Sequence, residues 1–177
     1  MKFMKFRTFK QRGEWVELKF MAKAAEYGLQ VLKPWGDSLA YDVGLDLDQG
    51  NDRSNQARRG LVRVQVKSTS VRTQFGYLCQ FKPGPHSRQY TIQQVDFFAA
   101  YVIPEDVWYL IPAEVLITHK QKAVTLLPTK PKHPDRYRYE IYKEAWPLLA
   151  NKDQTRRRTA GRKMKEDAPS LKPGAPF

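Results

Sequence analysis

The sequence predicts a single mixed domain, of the α+β or the α/β/α class, because a helix precedes a largely antiparallel set of strands and further mixed elements. Residues 13–27 carry apolar side chains at i, i+4, i+8 and i+11, the spacing of one helix face, at Val16, Phe20, Ala24 and Tyr27. Residues 61–68 alternate valine with polar side chains, as a half-buried strand does. A chain of 177 residues is long enough to bury a core as one domain.

The remaining elements are predicted from apolar runs and from the turn-forming residues between them. Gly28 is a good stop for the first helix. Pro147 leaves the end of the last helix open, and residues 91–100 are also compatible with a helical start. Strands are expected at 29–32, 39–47, 61–68, 75–81, 95–103, 107–112 and 122–128, the second to fourth forming an antiparallel meander, with a final helix at 139–150.

Positive charge is concentrated at the two ends of the chain, whose net charge is +13. Ten of these thirteen net charges fall in residues 1–12 and 151–177, so residues 13–150 are nearly balanced. Basic arms attract polyanions over long distances, which favours a nucleic-acid partner; the alternative is that they only keep the protein soluble. We expect a basic N-terminal arm at 1–12, a folded domain at 13–150 and a disordered basic tail at 151–177.

Cysteine content and hydropathy exclude several classes of protein. A single cysteine excludes a disulfide framework and a zinc site built from cysteines. No apolar run approaches the roughly 20 residues of a membrane span, and no hydrophobic signal-peptide segment follows the basic start. We therefore expect an intracellular protein, in the bacterial cytoplasm or the interior of an organelle. His86, His119 and His133 lack metal-ligand spacing and are interpreted as surface residues.

A small set of polar side chains could carry phosphodiester chemistry. Gln65 and Lys67 are two residues apart on a predicted strand and so share a face. If this strand and the one before it pair as a hairpin, Asp42 lies near them, and Glu14 or Glu17 on the first helix adds a second acid. Carboxylate and amide oxygens suit Mg²⁺, and a lysine beside the metal could orient a water or neutralise phosphate charge.

Each of these residues also has an ordinary structural explanation. A lone aspartate in a strand, such as Asp42, is more often a surface or turn residue. Gln65 and Lys67 alternate with valines, which is typical of the solvent-facing side of a sheet. Glu14 and Glu17 near a helix start can serve the helix dipole. The functional interpretation therefore depends on the order and context of these residues taken together.

Four sequence blocks supply that context. They are a G-x-x-x-E helix, a G-[apolar]-x-V-x-x-P segment, a Tyr-Asp strand and a Q-V-K strand, at Gly13 to Glu17, Gly28 to Pro34, Tyr41-Asp42 and Gln65 to Lys67. This order resembles the PD-(D/E)xK nuclease superfamily, most closely its group I intron-associated homing endonucleases and more distantly the archaeal Holliday-junction resolvases. The resemblance continues through VDFFAAYVIPEDVWYLIP and EIYKEAW and spans about residues 10–150. Tyr41 stands where the superfamily has its name-giving proline.

The resemblance implies an α/β fold with an αβββαβ core, a mixed sheet flanked by helices, and Mg²⁺-dependent DNA cleavage, with Mn²⁺ as a possible substitute. Asp42 would be the main metal-binding carboxylate. Gln65 would be a metal ligand where most of the superfamily has Asp or Glu, and the intron-associated group is known for this Q-x-K form. Lys67 would be the catalytic lysine. Glu17 would be the helix acid that completes the metal site, with Glu14 as the alternative.

The neutral amide of Gln65 supplies an oxygen but no charge, so metal affinity should be lower than with a glutamate there. One bound metal is the expectation, and two remain open. A further alternative is that the chain has lost activity and only binds DNA. Arginines in the two long loops could grip phosphates, although such loops can also simply be solvated; these candidates are Arg53, Arg58, Arg59 and Arg88, with Ser87 and Tyr90 beside the last.

Three functions are therefore compatible with the sequence. The first is a site-specific endonuclease of double-stranded DNA, of the homing type. The second is a structure-selective resolvase of branched DNA, and the third is a non-catalytic basic protein that binds DNA or RNA. Because one such site cuts one strand, duplex cleavage needs at least two copies, so we expect a homodimer or homotetramer.

Overall fold

The computed structural model describes residues 6–36, 38–47, 60–82, 89–129 and 138–150. Its first element is helix α1, Phe9–Glu26. The Thr8 side chain accepts a hydrogen bond from the backbone N–H of Gln11 at 3.0 Å, which caps the helix start. The helix therefore begins before the predicted position 13. The predicted apolar stripe is confirmed for Val16, Phe20 and Ala24, which are the buried residues of α1. Tyr27 was wrongly included, because it follows the helix as its C-cap and is 49% exposed.

Within the described residues eight strands follow, most of them close to their predicted positions. They are β1 Gln30–Leu32, β2 Val43–Asp46, β3 Leu61–Thr69, β4 Arg72–Thr73, β5 Gly76–Gln80, β6 Phe97–Val102, β7 Val107–Pro112 and β8 Ala123–Leu126. The strand predicted at 39–47 is shorter than expected, because regular pairing with β3 begins only at Val43. The helical alternative for 91–100 is wrong, because residues 91–96 form turns and β6 follows directly.

Five of these strands form a central mixed sheet in the order β1-β2-β3-β6-β7. β3 pairs antiparallel with β2 and parallel with β6, while the outer pairs β1–β2 and β6–β7 are antiparallel. Val64 lies at the centre, opposite both Val43 and Phe97. The Asp96 carboxylate accepts hydrogen bonds from the backbone N and Nε of Arg63, both at 2.9 Å, and so ties β3 to the start of β6.

The prediction that residues 75–81 form the third strand of a meander with β2 and β3 is wrong. That segment is β5, which belongs to a separate three-stranded sheet in the order β4-β5-β8. The reason is that β2 and β6 already occupy both edges of β3, so β5 pairs antiparallel with β8 instead. The chain turns away from the first sheet directly after β3.

The C-terminal part of the domain also differs from the prediction. Residues 139–150 do not form one helix; they form two 3₁₀ turns, Glu140–Tyr142 and Trp146–Leu148. Glu144 between them has a φ of 47°, in the left-handed region, and Pro147 follows, so a continuous α-helix is interrupted. A short helix that was not predicted, α2 at Ala113–Thr118, follows β7 directly.

The expected fold class is confirmed: a mixed sheet carries helices and a second small sheet around one core. Phe20 from α1 contacts Trp108 and Trp146 with ring centroids 5.5 Å apart in both pairs, which joins the helix to β7 and the C-terminal turns. The described segments between β3 and β6 carry β4, β5 and turns rather than a helix. None of the helices within the described ranges has the length and hydropathy of a membrane span.

Candidate active site

Asp42 is fixed at the start of β2 by the neighbouring strand. Its backbone N–H donates to the carbonyl oxygen of Val64 at 2.9 Å, one residue before the regular β2–β3 ladder begins. Its carboxylate turns back onto β3, where Oδ2 accepts a hydrogen bond from the backbone N–H of Val66 at 2.8 Å. The hairpin that the sequence predicted therefore places Asp42 beside the centre of β3.

Gln65 and Lys67 flank this contact on β3, as the alternation predicted. Gln65 is only 6% exposed, and its Nε2 donates a hydrogen bond to Oδ2 of Asp42. Lys67 lies close enough to act electrostatically on Asp42. Its Nζ is 5.6 Å from the centre of the Tyr90 ring, so this partly exposed ammonium is flanked by an aromatic side chain.

Helix α1 contributes Glu17 to the same place, and a lysine that the sequence analysis did not single out holds it there. Nζ of Lys33 donates to Oε2 of Glu17 and, at 3.1 Å, to the backbone carbonyl oxygen of Asp42. Lys33 thus links the helix acid to the loop that carries Asp42. The alternative acid Glu14 is exposed on α1 and lies 4.0 Å from Lys10 instead.

These residues line one open cleft of about 650 Å³, which we call the Asp42 cleft. Its walls are the N-terminal half of α1, the second half of β3 with the turn after it, and one face of β5. The cleft therefore forms where the helix and the two sheets meet. Its polar lining residues include Arg12, Glu17, Asp42, Gln65, Lys67, Ser68, Ser70, Gln80 and Lys82.

The carboxyl group of Asp42 has a raised pKa. Burial is the largest cause, and the neighbouring Glu17 carboxylate adds to it. The backbone N–H of Val66, the Lys67 ammonium and the Gln65 amide act in the opposite direction and lower the pKa. Two acids thus share a poorly hydrated site, and a cation between them would relieve both the burial of charge and the mutual repulsion.

The donor set fits a hard divalent cation with few protein ligands. Among the described residues, no cluster of three or more His, Cys, Asp or Glu side chains is placed to hold a metal. The Asp42 cleft instead offers two carboxylates, from Glu17 and Asp42, and the amide oxygen of Gln65. Mg²⁺ commonly binds through one or two carboxylates and keeps several waters, so this set suits Mg²⁺ and does not suit a closed metal cage.

Comparison with known proteins agrees with this geometry. The family model described as PD-(D/E)XK endonuclease matches residues 7–149 of the chain. The chain belongs to the PD-(D/E)XK endonuclease family. Among solved structures, the chain is similar to that of a bacterial homing endonuclease, I-Ssp6803I, at 25% sequence identity and a TM-score of 0.67. The similarity covers 88% of this chain and 98% of that one. No curated protein matches.

Family membership makes this protein a DNA endonuclease and bears out the resemblance seen in the sequence. The fold of this PD-(D/E)XK endonuclease brings four predicted site residues into one cleft: Glu17, Asp42, Gln65 and Lys67. The roles of these four residues stay predictions. The candidate phosphate contacts Arg53, Arg58, Arg59 and Arg88 lie outside the described residues.

Sequence reasoning missed several cleft residues of this PD-(D/E)XK endonuclease. Lys33 lies just before Pro34 in the Gly28 to Pro34 block that resembles the family, and this position was the sequence signal that could have identified it. Arg12 was assigned to a basic arm, and it reaches the cleft because α1 begins at Phe9. Lys82 was assigned to a loop predicted at 82–89, and its place in the cleft depends on β5 joining the second sheet.

Proposed function

We propose that this PD-(D/E)XK endonuclease hydrolyses phosphodiester bonds of double-stranded DNA in a reaction that depends on Mg²⁺, with Mn²⁺ as a substitute. The observation that carries the proposal is the convergence of two carboxylates, a buried amide and a lysine in the Asp42 cleft. A site that only bound DNA would not need two acids facing a phosphate, because their charge repels the substrate.

Each residue has a chemical task in this proposal. Asp42, Glu17 and the amide oxygen of Gln65 would hold the cation, which when bound supplies a Lewis acid and a water of lowered pKa. Lys67 would orient the attacking water, or donate a hydrogen bond to a non-bridging phosphate oxygen and so stabilise the negative charge that develops on the phosphate. Hydrolysis forms one P–O bond from water and breaks one bridging P–O bond, and the leaving oxygen takes up a proton.

Lys33 would act as a positioning residue. It contacts both Glu17 and the backbone of Asp42, so it fixes the separation of the two carboxylates without needing to touch the substrate. Its ammonium also offsets part of their negative charge until a cation binds.

We also propose which type of cleavage the protein performs. The similarity to a bacterial homing endonuclease favours site-specific cleavage of a long duplex over resolution of branched DNA. Because one cleft cuts one strand, two copies would act together, as a homodimer or within a homotetramer, and a two-fold arrangement fits a target with palindromic character.

Cleavage assays with matched variants test the function and the residue roles together. Purified protein is incubated with long linear duplex, four-way junction and single-stranded DNA, with Mg²⁺ or with EDTA. Asp42→Ala and Lys67→Ala should each lower Mg²⁺-dependent cleavage by at least about 100-fold while DNA binding persists. Glu17→Ala should lower it strongly, whereas Glu14→Ala, on the same helix but outside the cleft, should not.

The outcomes separate the candidate functions. Cutting at one place in the long duplex supports the proposed activity. Symmetric nicks in the junction alone would instead indicate a resolvase, and DNA retention without any cutting would indicate a binding protein. Near-normal cleavage by folded Asp42→Ala or Lys67→Ala protein would contradict the site assignment.

A further inference from the structure

A second cavity lies beside the Asp42 cleft and has a different chemical character. Its volume is about 590 Å³, within the range of about 300–1,000 Å³ that is typical of ligand pockets. We call it the Tyr90 cavity. It is formed by the residues directly after β5 and directly before β8, the C-terminal part of α2 with the turn after it, β6, and the segment at Gln89 and Tyr90. Two elements of regular structure, β6 and α2, thus form part of its wall, and short irregular segments beside them form the remainder.

One wall of the Tyr90 cavity is aromatic. The Tyr90 and Phe81 rings each meet the buried Phe98 ring nearly edge-on, with centroid distances of 5.3 and 5.2 Å. Tyr90 is the most exposed of the three. An aromatic wall of this kind offers stacking and apolar contact to a flat ligand.

The rim of the cavity carries lysines and amides. Lys82, Lys120 and Lys122 are exposed and form no ion pair with any acid in the described part of the chain. The backbone N–H of Phe81 donates to the carbonyl of Lys122 at 2.9 Å, which brings the ends of β5 and β8 together at the rim. Gln89 and Gln121 add amide groups that can both donate and accept hydrogen bonds.

The turn after α2 helps to form this rim. Lys120 has a φ of 51°, in the left-handed region that residues other than glycine seldom adopt. The backbone N–H of Gln121 donates to the Leu116 carbonyl at 2.8 Å, which closes the turn. This conformation places two lysines and a glutamine in succession at the mouth of the cavity.

The Tyr90 cavity adjoins the proposed catalytic residues. Lys82 lines both the cavity and the Asp42 cleft. Tyr90 lines the cavity, and its ring centre is 5.6 Å from Nζ of Lys67 in the cleft. A ligand in the cavity would therefore lie next to a phosphate bound in the cleft, within the reach of the same nucleic-acid strand.

We propose that the Tyr90 cavity receives one unpaired nucleotide of the DNA, next to the phosphate held in the Asp42 cleft. Its aromatic wall would contact the base, the lysines would bind flanking phosphates, and the glutamine amides would face the base edges. A stacked and paired base cannot enter such a cavity, so the nucleotide must leave the duplex or be unpaired already. This inference rests on the proposed DNA function and adds a second contact to it.

The test compares two duplexes of the same sequence in EDTA. In one, a single 2-aminopurine is paired with thymine; in the other, the same 2-aminopurine is an unpaired bulge. We expect the bulged duplex to bind at least about fivefold more tightly, which corresponds to about 1 kcal/mol of stacking. Binding should also lower the 2-aminopurine emission, because stacking on an aromatic ring quenches it.

Variants assign the preference to the cavity. Tyr90→Ala should abolish both the preference and the quenching. Tyr90→Leu keeps an apolar side chain against Phe98 and should also lose the quenching, which separates a loss of stacking from a loss of folding. Phe75→Ala removes an exposed aromatic side chain in the β4–β5 turn, outside the cavity, and should leave both signals unchanged.

Each outcome decides the inference. Equal affinity of the wild-type protein for the two duplexes, with Mg²⁺-dependent cutting intact, would overturn the nucleotide site and leave the proposed function standing. A preference for the bulge that Tyr90→Ala removes, in a protein that cuts no DNA, would support the site and contradict the nuclease function. Loss of the preference in Phe75→Ala would show a nonspecific aromatic effect and overturn the assignment. Failure to bind either duplex in EDTA would overturn the nucleotide site, whereas the Mg²⁺-dependent cleavage assays decide the nuclease function.

Discussion

The pairing of Gln65 with Asp42 shows how a single residue choice shapes this site. The buried amide donates a hydrogen bond to a carboxylate whose pKa is raised by burial and by Glu17. A glutamine at this position therefore satisfies Asp42 when no metal is bound, and it can present an oxygen to a cation. A glutamate would bind the cation more strongly but would face another carboxylate in its absence.

Replacing Gln65 should therefore separate metal affinity from stability. Gln65→Glu is expected to lower the Mg²⁺ concentration for half-maximal cleavage and to reduce the stability of the metal-free protein near pH 7. Gln65→Leu should lose most cleavage, and the lost hydrogen bond to a buried carboxylate should destabilise the protein by about 1–3 kcal/mol. Mg²⁺ titrations of cleavage and denaturation in EDTA measure the two effects. If Leu and Glu behave alike, Gln65 is not a metal ligand.

The raised pKa of Asp42 predicts a pH-dependent stability effect. Burial and then Glu17 raise the pKa of the folded protein above the ordinary value of 3.8. The stability associated with this group is therefore fully present below pH 3.8 and is lost as pH rises through the raised pKa. Asp42→Asn removes the buried charge, so in EDTA it should be more stable than the wild type at pH 7, and the difference should shrink as the pH falls.

Asp106 supplies a control of opposite sign. Hydrogen bonds from Lys19 and then Tyr101 lower the pKa of Asp106, so its contribution to stability is present above pH 3.8 and is lost as pH falls through the lowered pKa. Asp106→Asn should therefore destabilise the protein at neutral pH. Asparagine tolerates the left-handed φ of 52° at this position, so backbone strain does not contribute to the stability difference between the variant and the wild type. Chemical denaturation across pH measures both variants, and equal signs would contradict the electrostatic argument.

At the scale of secondary structure, α1 is the element on which the site depends most. Its buried face holds Phe20 against Trp108 and Trp146, while the adjoining face carries Glu17 into the Asp42 cleft. Packing on the buried face of α1 therefore fixes the position of Glu17 on the adjoining face. Lys33 adds a polar link between this helix and the loop before β2.

Replacing a buried side chain of α1 should therefore lower the stability of the protein and disturb the Asp42 cleft. Phe20 is fully buried, so Phe20→Ala should cost about 3–5 kcal/mol in the free energy of unfolding. Leu18 on the same helix is 61% exposed, and Leu18→Ala should change it by less than about 0.5 kcal/mol. Urea denaturation monitored by circular dichroism compares the two variants. A small effect of Phe20→Ala would mean that α1 is not packed as described.

At the scale of the whole molecule, charge and chemistry occupy different parts of the chain. The proposed catalytic residues lie between positions 17 and 67, whereas residues 151–177, outside the described part of the chain, contribute a net charge of +5 and none of the proposed site residues. Basic segments of this kind increase affinity for DNA through phosphate contacts that release counterions. We therefore expect the C-terminal segment to assist binding without reading the target.

Deletion of residues 151–177 should weaken DNA binding in a salt-dependent manner. Each lost phosphate contact lowers the slope of log K against log [salt] by about 0.9, and we expect a total reduction of about two to four. The cleavage position and the single-turnover rate should not change. A full-length variant with the eight lysines and arginines of this segment replaced by glutamine distinguishes charge from length. An unchanged slope would show that the segment makes no phosphate contacts, and a shifted cut would show that it reads the target.

Local features and the family could be predicted from the sequence alone. The helix stripe, the alternation of β3 and the spacing of Asp42, Gln65 and Lys67 depend on periodicity and on short-range order, which a sequence displays directly. The position of Asp42 beside Gln65 followed from a hairpin between neighbouring strands, and the structure has that hairpin.

Tertiary packing was needed to show which further segments join the site. β3 could be predicted as a strand, but its parallel partner β6 and the transfer of β5 to a second sheet depend on competition among edges that lie far apart in sequence. The same pairing brings Lys82 beside the cleft and opens the Tyr90 cavity next to Lys67. Lys33 reaches Glu17 only because the helix packs against the first strands. Such contacts are set by packing energies summed over the whole chain, which local periodicity does not encode.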